Sequence, residues 1–356
     1  MGNLTPMISI GYRWFETALG WHIERALREV TSDVTFVGLG APGHFGLPAD
    51  GDVCALPTEG AYLWIDPAGR YFPPGIEDAD MLTAGYLVDC HIGHWRESAA
   101  KFFDVVFLAQ KAFVEPYKKI LGHEQVYWLP LGAAGDVHRD HGLSRDIDVA
   151  FIGNMDRSHN ATPRARRLAL LAQRYHTNEL GRPATPEEVG QIYSRAKIVF
   201  NTSIAGDVTM RLFEGAACGA LVLTDPIAPQ NGIEELFDVG REVVIYENDD
   251  DLCTKIDYLL AHENERSAIA RAGQTRVLRE HTYAHRTQTI LNVLNDPQTR
   301  RLAPMRQAST EMRRRERLRV YTHLHMLDAV FDATRGMNPV RRMWAALPCL
   351  ARRVLF

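Results

Sequence analysis

Hydrophobic residues in the first 130 positions fall into short runs, and these alternate with segments of helical period. The runs are rich in β-branched and aromatic residues and predict strands at 7–10, 34–38, 62–65, 85–89, 105–109 and 126–129. The clearest helical segment is 13–30, where Phe15, Leu19, Ile23 and Val30 fall on one face. Repeated strand–helix units predict a parallel sheet with crossover helices.

The same alternation resumes after a polar segment, 130–145, that is rich in Gly, His and Asp. The pattern predicts strands at 147–152, 197–201, 220–224 and 242–246, helices at 163–174, 186–195 and 208–218, and two helices between 250 and 280. We therefore expect two Rossmann-like, doubly wound α/β domains, at 1–140 and 146–284, followed by a helical segment at 285–356. Two such domains in tandem predict a binding cleft at the carboxyl ends of their strands.

Composition narrows the class of protein. The 356 residues are 46% hydrophobic and 24% charged, which excludes a disordered or fibrous chain. No apolar run approaches the roughly 18 residues that a membrane-spanning helix needs. The five cysteines are scattered without a C-x-x-C pair, so we expect reduced thiols and a cytoplasmic protein.

The net charge of −4 hides a basic tail. Residues 298–356 carry 13 Arg, no Lys and 4 acidic residues, whereas the preceding chain carries 27 basic and 40 acidic residues. We expect one long helix at 305–331 and a second, amphipathic helix at 340–356 that contains Trp344. Three partners remain open for this tail: an anionic membrane face, the acidic body or a second subunit, and nucleic acid.

The segment 201–225 carries the most chemistry. A buried strand ends at Asn201, a loop with Asp207 follows, and a helix begins near Thr209. Amides at a helix N-terminus, together with Arg211 in the first turn, suit phosphate oxygens. Glu214 lies one turn further on, where its carboxylate could accept both hydroxyls of a ribose. The alternative is an ordinary helix in which Arg211 and Glu214 form a solvated pair.

The stretch RLFEGAACGALVLTD resembles the donor-binding signature of GT-B glycosyltransferases, in the branch of spore-maturation CgeB-like proteins. DVAFIGNMDRSHNATPRARRLALL, SRAKIVFNTS, GREVVIYENDDDLCTKIDYLL and REHTYAHRTQTIL resemble further elements of that family, in consistent order over 147–291. The first half resembles it more weakly, through GYLVDCH and DVVFLAQ.

This resemblance implies a GT-B fold, a nucleotide-sugar donor, an unidentified acceptor, and no cofactor or obligatory metal. Glu214 would hold the ribose, Arg211 and the amides near Thr209 would face the diphosphate, and Gly153, Asn154, Asn201 and Asp207 complete the implied donor site. Many related retaining enzymes carry two Glu eight positions apart. Here the position eight before Glu214 is Gly206, and the nearest acid is Asp207. The donor sugar and the stereochemical outcome therefore stay open, as does a protein that binds a nucleotide-sugar without turnover. A nucleic-acid-associated protein recruited by the basic tail is a second alternative.

Candidate catalytic residues occur at the predicted end of the strand 85–89. Strand alternation would place Asp89 and His91 on one face, and an Asp beside a His can orient the imidazole as a general base. A His that only closes a loop, or a metal site with His94, are the alternatives. Gly11, Tyr12 and Trp14 follow the first strand and are expected on the acceptor side, either stacked on a sugar or packed under a helix. Asp66 is a further acceptor-side candidate.

Overall fold

The computed structural model describes residues 7–15, 18–39, 59–66, 71–153 and 163–351. The chain divides into two compact units, one formed by residues up to 129 together with those from 287 onwards, the other by 130–286. The C-terminal segment, which the sequence set apart, thus belongs to the first unit.

The first unit contains a six-stranded sheet with parallel neighbours in the order β2-β1-β3-β4-β5-β6. Its strands are β1 (Ile8–Gly11), β2 (Val34–Phe36), β3 (Ala61–Ile65), β4 (Leu82–Leu87), β5 (Val105–Leu108) and β6 (Val126–Trp128). Its first helices are α1 (Leu19–Val30), α2 (Trp95–Ala100) and α3 (Val114–Leu121). All six strands were predicted, with bounds that differ by up to three residues.

The predicted helix 13–30 is wrong at its start, because α1 begins at Leu19. Arg13 pairs with Leu39 as a parallel bridge, and the Trp14 amide donates to the Leu39 carbonyl at 2.7 Å. This long-range pairing holds the residues after β1 in an extended conformation, which the local helical pattern could not reveal.

The second unit contains a four-stranded parallel sheet in the order β10-β9-β8-β7. Its strands are β7 (Ile147–Ala150), β8 (Ala196–Asn201), β9 (Leu221–Thr224) and β10 (Val244–Ile245). Its helices are α4 (Pro163–Arg174), α5 (Pro186–Arg195), α6 (Met210–Ala217), α7 (Ile233–Leu236), α8 (Asp249–Ala261) and α9 (Glu263–Glu280). The next helix, α10 (Tyr283–Leu294), leads the chain into the first unit.

The bounds of α5 were predicted correctly because its start is fixed locally. The Thr185 hydroxyl accepts from the Glu188 amide at 3.2 Å, and the Glu188 carboxylate accepts from the Thr185 amide at 2.9 Å. This reciprocal capping box, with Pro186 at the first helical position, satisfies two amides that a helix start leaves open.

Up to residue 351, where the described part of the tail ends, the tail forms three further helices where the sequence predicted two: α11 (Thr310–His323), α12 (Leu327–Ala333) and α13 (Pro339–Ala351). The expected single helix 305–331 is interrupted because His325 adopts a left-handed backbone conformation, with φ of 56°. Side chains of α11, α12 and α13, among them Val320, Val330 and Ala346, are buried in the same core cluster as the sheet of the first unit.

Ion pairs fix the tail to its own unit. The guanidinium of Arg306 donates to both carboxylate oxygens of the buried Asp104, at 2.8 and 2.6 Å, and Arg317 pairs with Glu77. Part of the positive charge of the tail is therefore paired with acidic residues of the first unit. Packing on the acidic body was one of the partners that the sequence left open. Among the described residues, no helix is both long and apolar enough to cross a bilayer.

Candidate active site

The end of β8 organises the candidate donor site in the second unit. Asn201 is fully buried, and its Oδ1 accepts hydrogen bonds from the Thr209 hydroxyl at 2.8 Å and from Arg211 Nη1 at 2.5 Å. Its Nδ2 donates to the Thr224 hydroxyl at 2.9 Å. The side chain of Asn201 therefore positions Thr209 and Arg211 at the start of α6, and this internal bonding accounts for both of its polar atoms.

The guanidinium of Arg211 is held on two further sides. Its Nε donates to the Ile152 carbonyl at 2.9 Å, and its carbon lies 4.2 Å from the centroid of the Phe151 ring. A β-carbon at Gly153 would collide with Arg211 Nη2. The absence of a side chain at position 153 therefore leaves room for the guanidinium beside the backbone. Asn154, the next predicted donor residue, lies outside the described residues.

A second arginine, which the sequence analysis did not single out, joins this group. Arg164 in the first turn of α4 donates to the Thr202 carbonyl at 2.9 Å, and its guanidinium lies 5.8 Å from the same Phe151 ring. Burial and the neighbouring charge of Arg211 lower the pKa of Arg164, while Asp225 and Asp207 oppose that shift. Two guanidinium groups on one aromatic ring suit a ligand with more than one negative charge.

Asp207 and Gly206 occupy the loop before α6. Gly206 has a φ of 67°, a left-handed conformation that favours glycine, and Asp207 is only 7% exposed. A glutamate at position 206 would be strained in this conformation. The Asp207 carboxylate accepts from the Ala205 amide at 3.4 Å.

Glu214 lies one turn further along α6. Burial raises the pKa of Glu214 to about 7, although the nearby charge of Arg211 acts in the opposite direction. Its Oε1 lies 3.7 Å from Nε2 of His138. The sequence left open a solvated ion pair of Arg211 and Glu214. The carboxylate of Glu214 is largely buried, so this alternative does not apply.

His138 lies in the polar segment 130–145, whose composition predicts a solvated turn, but this prediction is wrong for its imidazole. The residue is 1% exposed, and its Nδ1 accepts from the Ala134 amide at 3.2 Å. That bond assigns the ring proton to Nε2, which faces Glu214. Burial also lowers the pKa of His138 to about 4. The imidazole is therefore neutral in the pH range around 7 in which Glu214 titrates. The polar composition of the linker gave no signal for this pairing.

Asp89 and His91 lie in the first unit, beyond the end of β4 at Leu87. The strand alternation invoked for them does not apply, because Asp89 has a φ of 52° and begins a turn closed by the Ile92 amide on the Asp89 carbonyl. A carboxylate oxygen of Asp89 and a ring nitrogen of His91 nevertheless lie within 4.8 Å of each other. In the part of the chain that the structure describes, His91 Nδ1 has no hydrogen-bond partner. His94 instead pairs with Glu97 at 2.8 Å.

A cavity of about 140 Å³ in the same unit is lined in part by Asp89, Tyr12, Asp66 and Arg96. Arg96 Nε donates to Asp66 Oδ2 at 2.5 Å, while Asp66 Oδ1 has no partner among the described residues. Burial raises the pKa of Asp66 to about 6 against the attraction of Arg96. Arg96 was not predicted, since its role depends on a carboxylate 30 positions away.

Tyr12 and Trp14, the aromatic residues expected on the acceptor side, pack against other aromatic rings. The structure thus differs from the expectation that they stack on a sugar. Tyr12 is 1% exposed, donates to Glu24 at 2.6 Å and packs edge-on against Phe36, so its ring is not open for stacking on a sugar. Trp14 packs edge-on against Trp21, with ring centroids 6.3 Å apart. A β-carbon at Gly11 would overlap the Tyr62 hydroxyl, so this glycine allows close packing.

A known protein family matches the part of the chain that carries the candidate donor site. Residues 145–292 fit the family model described as glycosyl transferase-like. No curated protein matches the chain in sequence. The family match covers the strands and helices that build the cluster of Asn201, Arg211 and Glu214.

Solved structures resemble most of the chain. A crystal structure of Alr3699/HepE from Anabaena with UDP and glucose has a TM-score of 0.57 at 12% identity and covers 81% of this chain and 99% of its own. A glycosyltransferase from Rickettsia africae has a TM-score of 0.53 at 12% identity, over 81% and 98%. Sucrose-phosphate synthase from Thermosynechococcus elongatus has a TM-score of 0.50 at 11% identity, over 79% and 97%.

These likenesses are too distant in sequence to transfer a substrate, but they establish the fold. The narrower CgeB-like resemblance is not confirmed by the family match. The chain has the α/β fold of GT-B glycosyltransferases, and the family match of its second unit supports a glycosyltransferase.

Proposed function

We propose that this protein transfers a sugar from a nucleotide-sugar donor to an acceptor hydroxyl. In this proposal the second unit holds the donor and the first unit holds the acceptor. The observation that carries it is the pair of Arg211 and Arg164 around Phe151, beside the glycine at 153 and the start of α6. UDP is the first nucleotide to test, because similar structures contain UDP or UDP-glucose.

The reaction makes a specific demand on these residues. As the glycosidic bond to the donor breaks, negative charge grows on the departing diphosphate. Arg211 is already fixed by Asn201 and the Ile152 carbonyl, so it can stabilise that charge with little reorganisation. Ionised Glu214 would accept hydrogen bonds from the ribose. In the first unit, His91 beside Asp89 would take the proton of the acceptor hydroxyl.

In this proposal the two arginines supply the positive charge that faces the departing diphosphate. The proposal therefore includes no metal and no other cofactor, and transfer should persist in the presence of EDTA. A protein that binds the nucleotide-sugar without turnover is the rival, and the glycine at position 206 is the observation that favours it.

A panel of nucleoside diphosphates and nucleotide-sugars, measured by thermal shift and calorimetry on the full chain, tests the proposal. Selective stabilisation by one nucleotide identifies the donor through linkage. Slow hydrolysis of the matching nucleotide-sugar then separates an enzyme from a binding protein. If no nucleotide in the panel shifts the melting temperature, the donor site is wrongly assigned.

Arg164 gives a prediction of its own. We expect Arg164→Gln to weaken UDP binding about tenfold, because one charge-assisted hydrogen bond to phosphate is lost while Arg211 remains. Calorimetry measures the change. Arg166→Gln is the matched control, since this α4 arginine is exposed and pairs with Asp249. Equal affinity of the Arg164 variant and wild type would remove Arg164 from the phosphate site.

A further inference from the structure

Helix α13 presents an apolar stripe to solvent. Val340, Met343, Trp344 and Leu347 are 57%, 56%, 67% and 40% exposed. Their spacing of three, four and seven positions places them on one face of the helix. Ala346 lies on the other side and is fully buried. The stripe is therefore an outward face of a helix that is anchored by its opposite face.

A cavity of about 880 Å³ adjoins this stripe through Trp344. Its wall is formed by α2 and α11 as well as α13, and it includes the ring of Trp95 stacked on His323 at 4.9 Å between centroids. Its charged lining residues are Lys101, Arg315, Arg319 and Glu97. The cavity thus combines aromatic surface with several cationic side chains.

The positive charge of this cavity exceeds the negative charge beside it. Lys101, Arg315 and Arg319 approach the carboxylate of a single residue, Glu316, at 3.3, 3.3 and 3.2 Å. Glu316 is fully buried, so the three cations rather than the acid face the cavity. Glu97, the acid in the lining, pairs with His94 at 2.8 Å.

We propose that the stripe of α13 and the basic cavity form one docking surface for an anionic phospholipid bilayer. The stripe enters the interfacial region, and the cavity receives a lipid phosphate on Arg315, Arg319 and Lys101. An amphipathic helix with an interfacial Trp and adjacent Arg side chains is the type of element that binds such surfaces. The inference is independent of the proposed transferase activity, because it involves residues of the first unit only.

Charge complementarity favours a bilayer over a second copy of the chain. In a symmetric dimer through this face, the stripe of each copy would meet that of the other, and the flanking arginines would lie near each other. The segment 298–356 has 13 Arg and 4 acidic residues, so a copy of it offers few partners for those cations. An anionic lipid surface neutralises them without a complementary protein patch.

Vesicle co-sedimentation of the full-length protein tests this proposal. Vesicles of phosphatidylcholine with one third phosphatidylglycerol should bind the protein at low salt and release it at high salt, whereas pure phosphatidylcholine should bind weakly. Truncation is a poor test, because Ala346 and Cys349 belong to the core. Substitutions at exposed positions leave that packing intact.

Two variants probe the two parts of the surface. We expect Trp344→Ala to weaken vesicle binding about tenfold through lost apolar burial, and Arg315→Gln to weaken it about fivefold through one lost charge. Arg315→Lys should restore binding to the anionic vesicles, because it keeps the positive charge. The matched controls are Leu278→Ser and Arg241→Gln, which change exposed residues of the second unit. Melting curves verify that each variant is folded.

Four results would overturn the proposal. The full chain could ignore anionic vesicles even at low salt, or the control variants could lose as much binding as the test variants. Glycerol phosphate could bind in calorimetry in an Arg315-dependent manner while vesicles do not, which would assign the cavity to a soluble anion. Concentration-dependent dimers in light scattering, abolished by Trp344→Ala, would assign the stripe to a second copy. UDP binding, measured in parallel, reports on the donor site separately.

Discussion

Replacement of Arg211 by alanine is expected to lower turnover of the nucleotide-sugar by about 10²- to 10³-fold. A preorganised hydrogen-bond donor that stabilises the additional charge on the departing diphosphate contributes about this much to catalysis. The same change should weaken UDP binding, since the ground-state diphosphate also contacts the guanidinium. Donor hydrolysis or transfer, with UDP affinity measured by calorimetry, gives both quantities.

Arg211→Lys separates geometry from charge. Arg211 uses Nε for the Ile152 carbonyl and Nη1 for Asn201 at the same time. A lysine ammonium has no planar fork and cannot keep both bonds and a third toward phosphate. We expect much of the binding energy to survive in this variant while turnover remains strongly reduced.

Arg195→Gln is the matched control, because Arg195 is a half-exposed arginine of the same unit whose pairing with Asp146 lies on the surface. It should leave affinity and turnover within about twofold of wild type. Wild-type turnover in Arg211→Lys would show that phosphate is recognised by other residues. Loss of UDP binding in the control would point to a general defect of the unit.

The parts of the fold that the sequence predicted best are those fixed by nearby residues. Helix α5 has its capping box and its proline at the start, and α4 begins at a proline, so both helices had the predicted bounds. The strands followed from apolar runs of β-branched residues. The start of α1 failed because Leu39, a residue distant in sequence, pairs with Arg13 and holds it extended.

The candidate site also contains residues that a local motif indicates and residues that only the fold brings together. Arg211 and Glu214 could be singled out because both follow one strand–loop–helix motif. Arg164 lies near the Phe151 ring but belongs to another helix, α4, and His138 lies near Glu214 but belongs to the linker. Neither proximity can be inferred from a local sequence pattern. A histidine among Gly and Asp residues is typical of a solvated turn, and only the tertiary structure shows that His138 is buried.

Glu214→Gln is expected to have opposite effects on the empty protein and on nucleotide binding. Burial raises the pKa of Glu214 from its ordinary value of 4.5 to about 7. The folded state therefore holds this proton more tightly than the unfolded state. The stabilisation is complete below about pH 4.5 and is lost as the pH rises through about 7. Glutamine cannot ionise, so the variant should exceed wild type in free energy of unfolding by about 2 kcal/mol at pH 8.

Nucleotide binding should change in the other direction, because only the ionised carboxylate accepts hydrogen bonds from both ribose hydroxyls. We expect wild-type affinity for UDP to rise between pH 6 and pH 8, and Glu214→Gln to bind about 10- to 100-fold more weakly at pH 8 without that rise. Melting curves and calorimetry over this pH range measure both effects, with Glu234→Gln, an exposed glutamate of α7, as the control. A purely structural Glu214 predicts no change in UDP affinity in the folded variant. A variant less stable than wild type at pH 8 would instead mean that the carboxylate is stabilised by its surroundings, which contradicts the raised pKa on which this prediction depends.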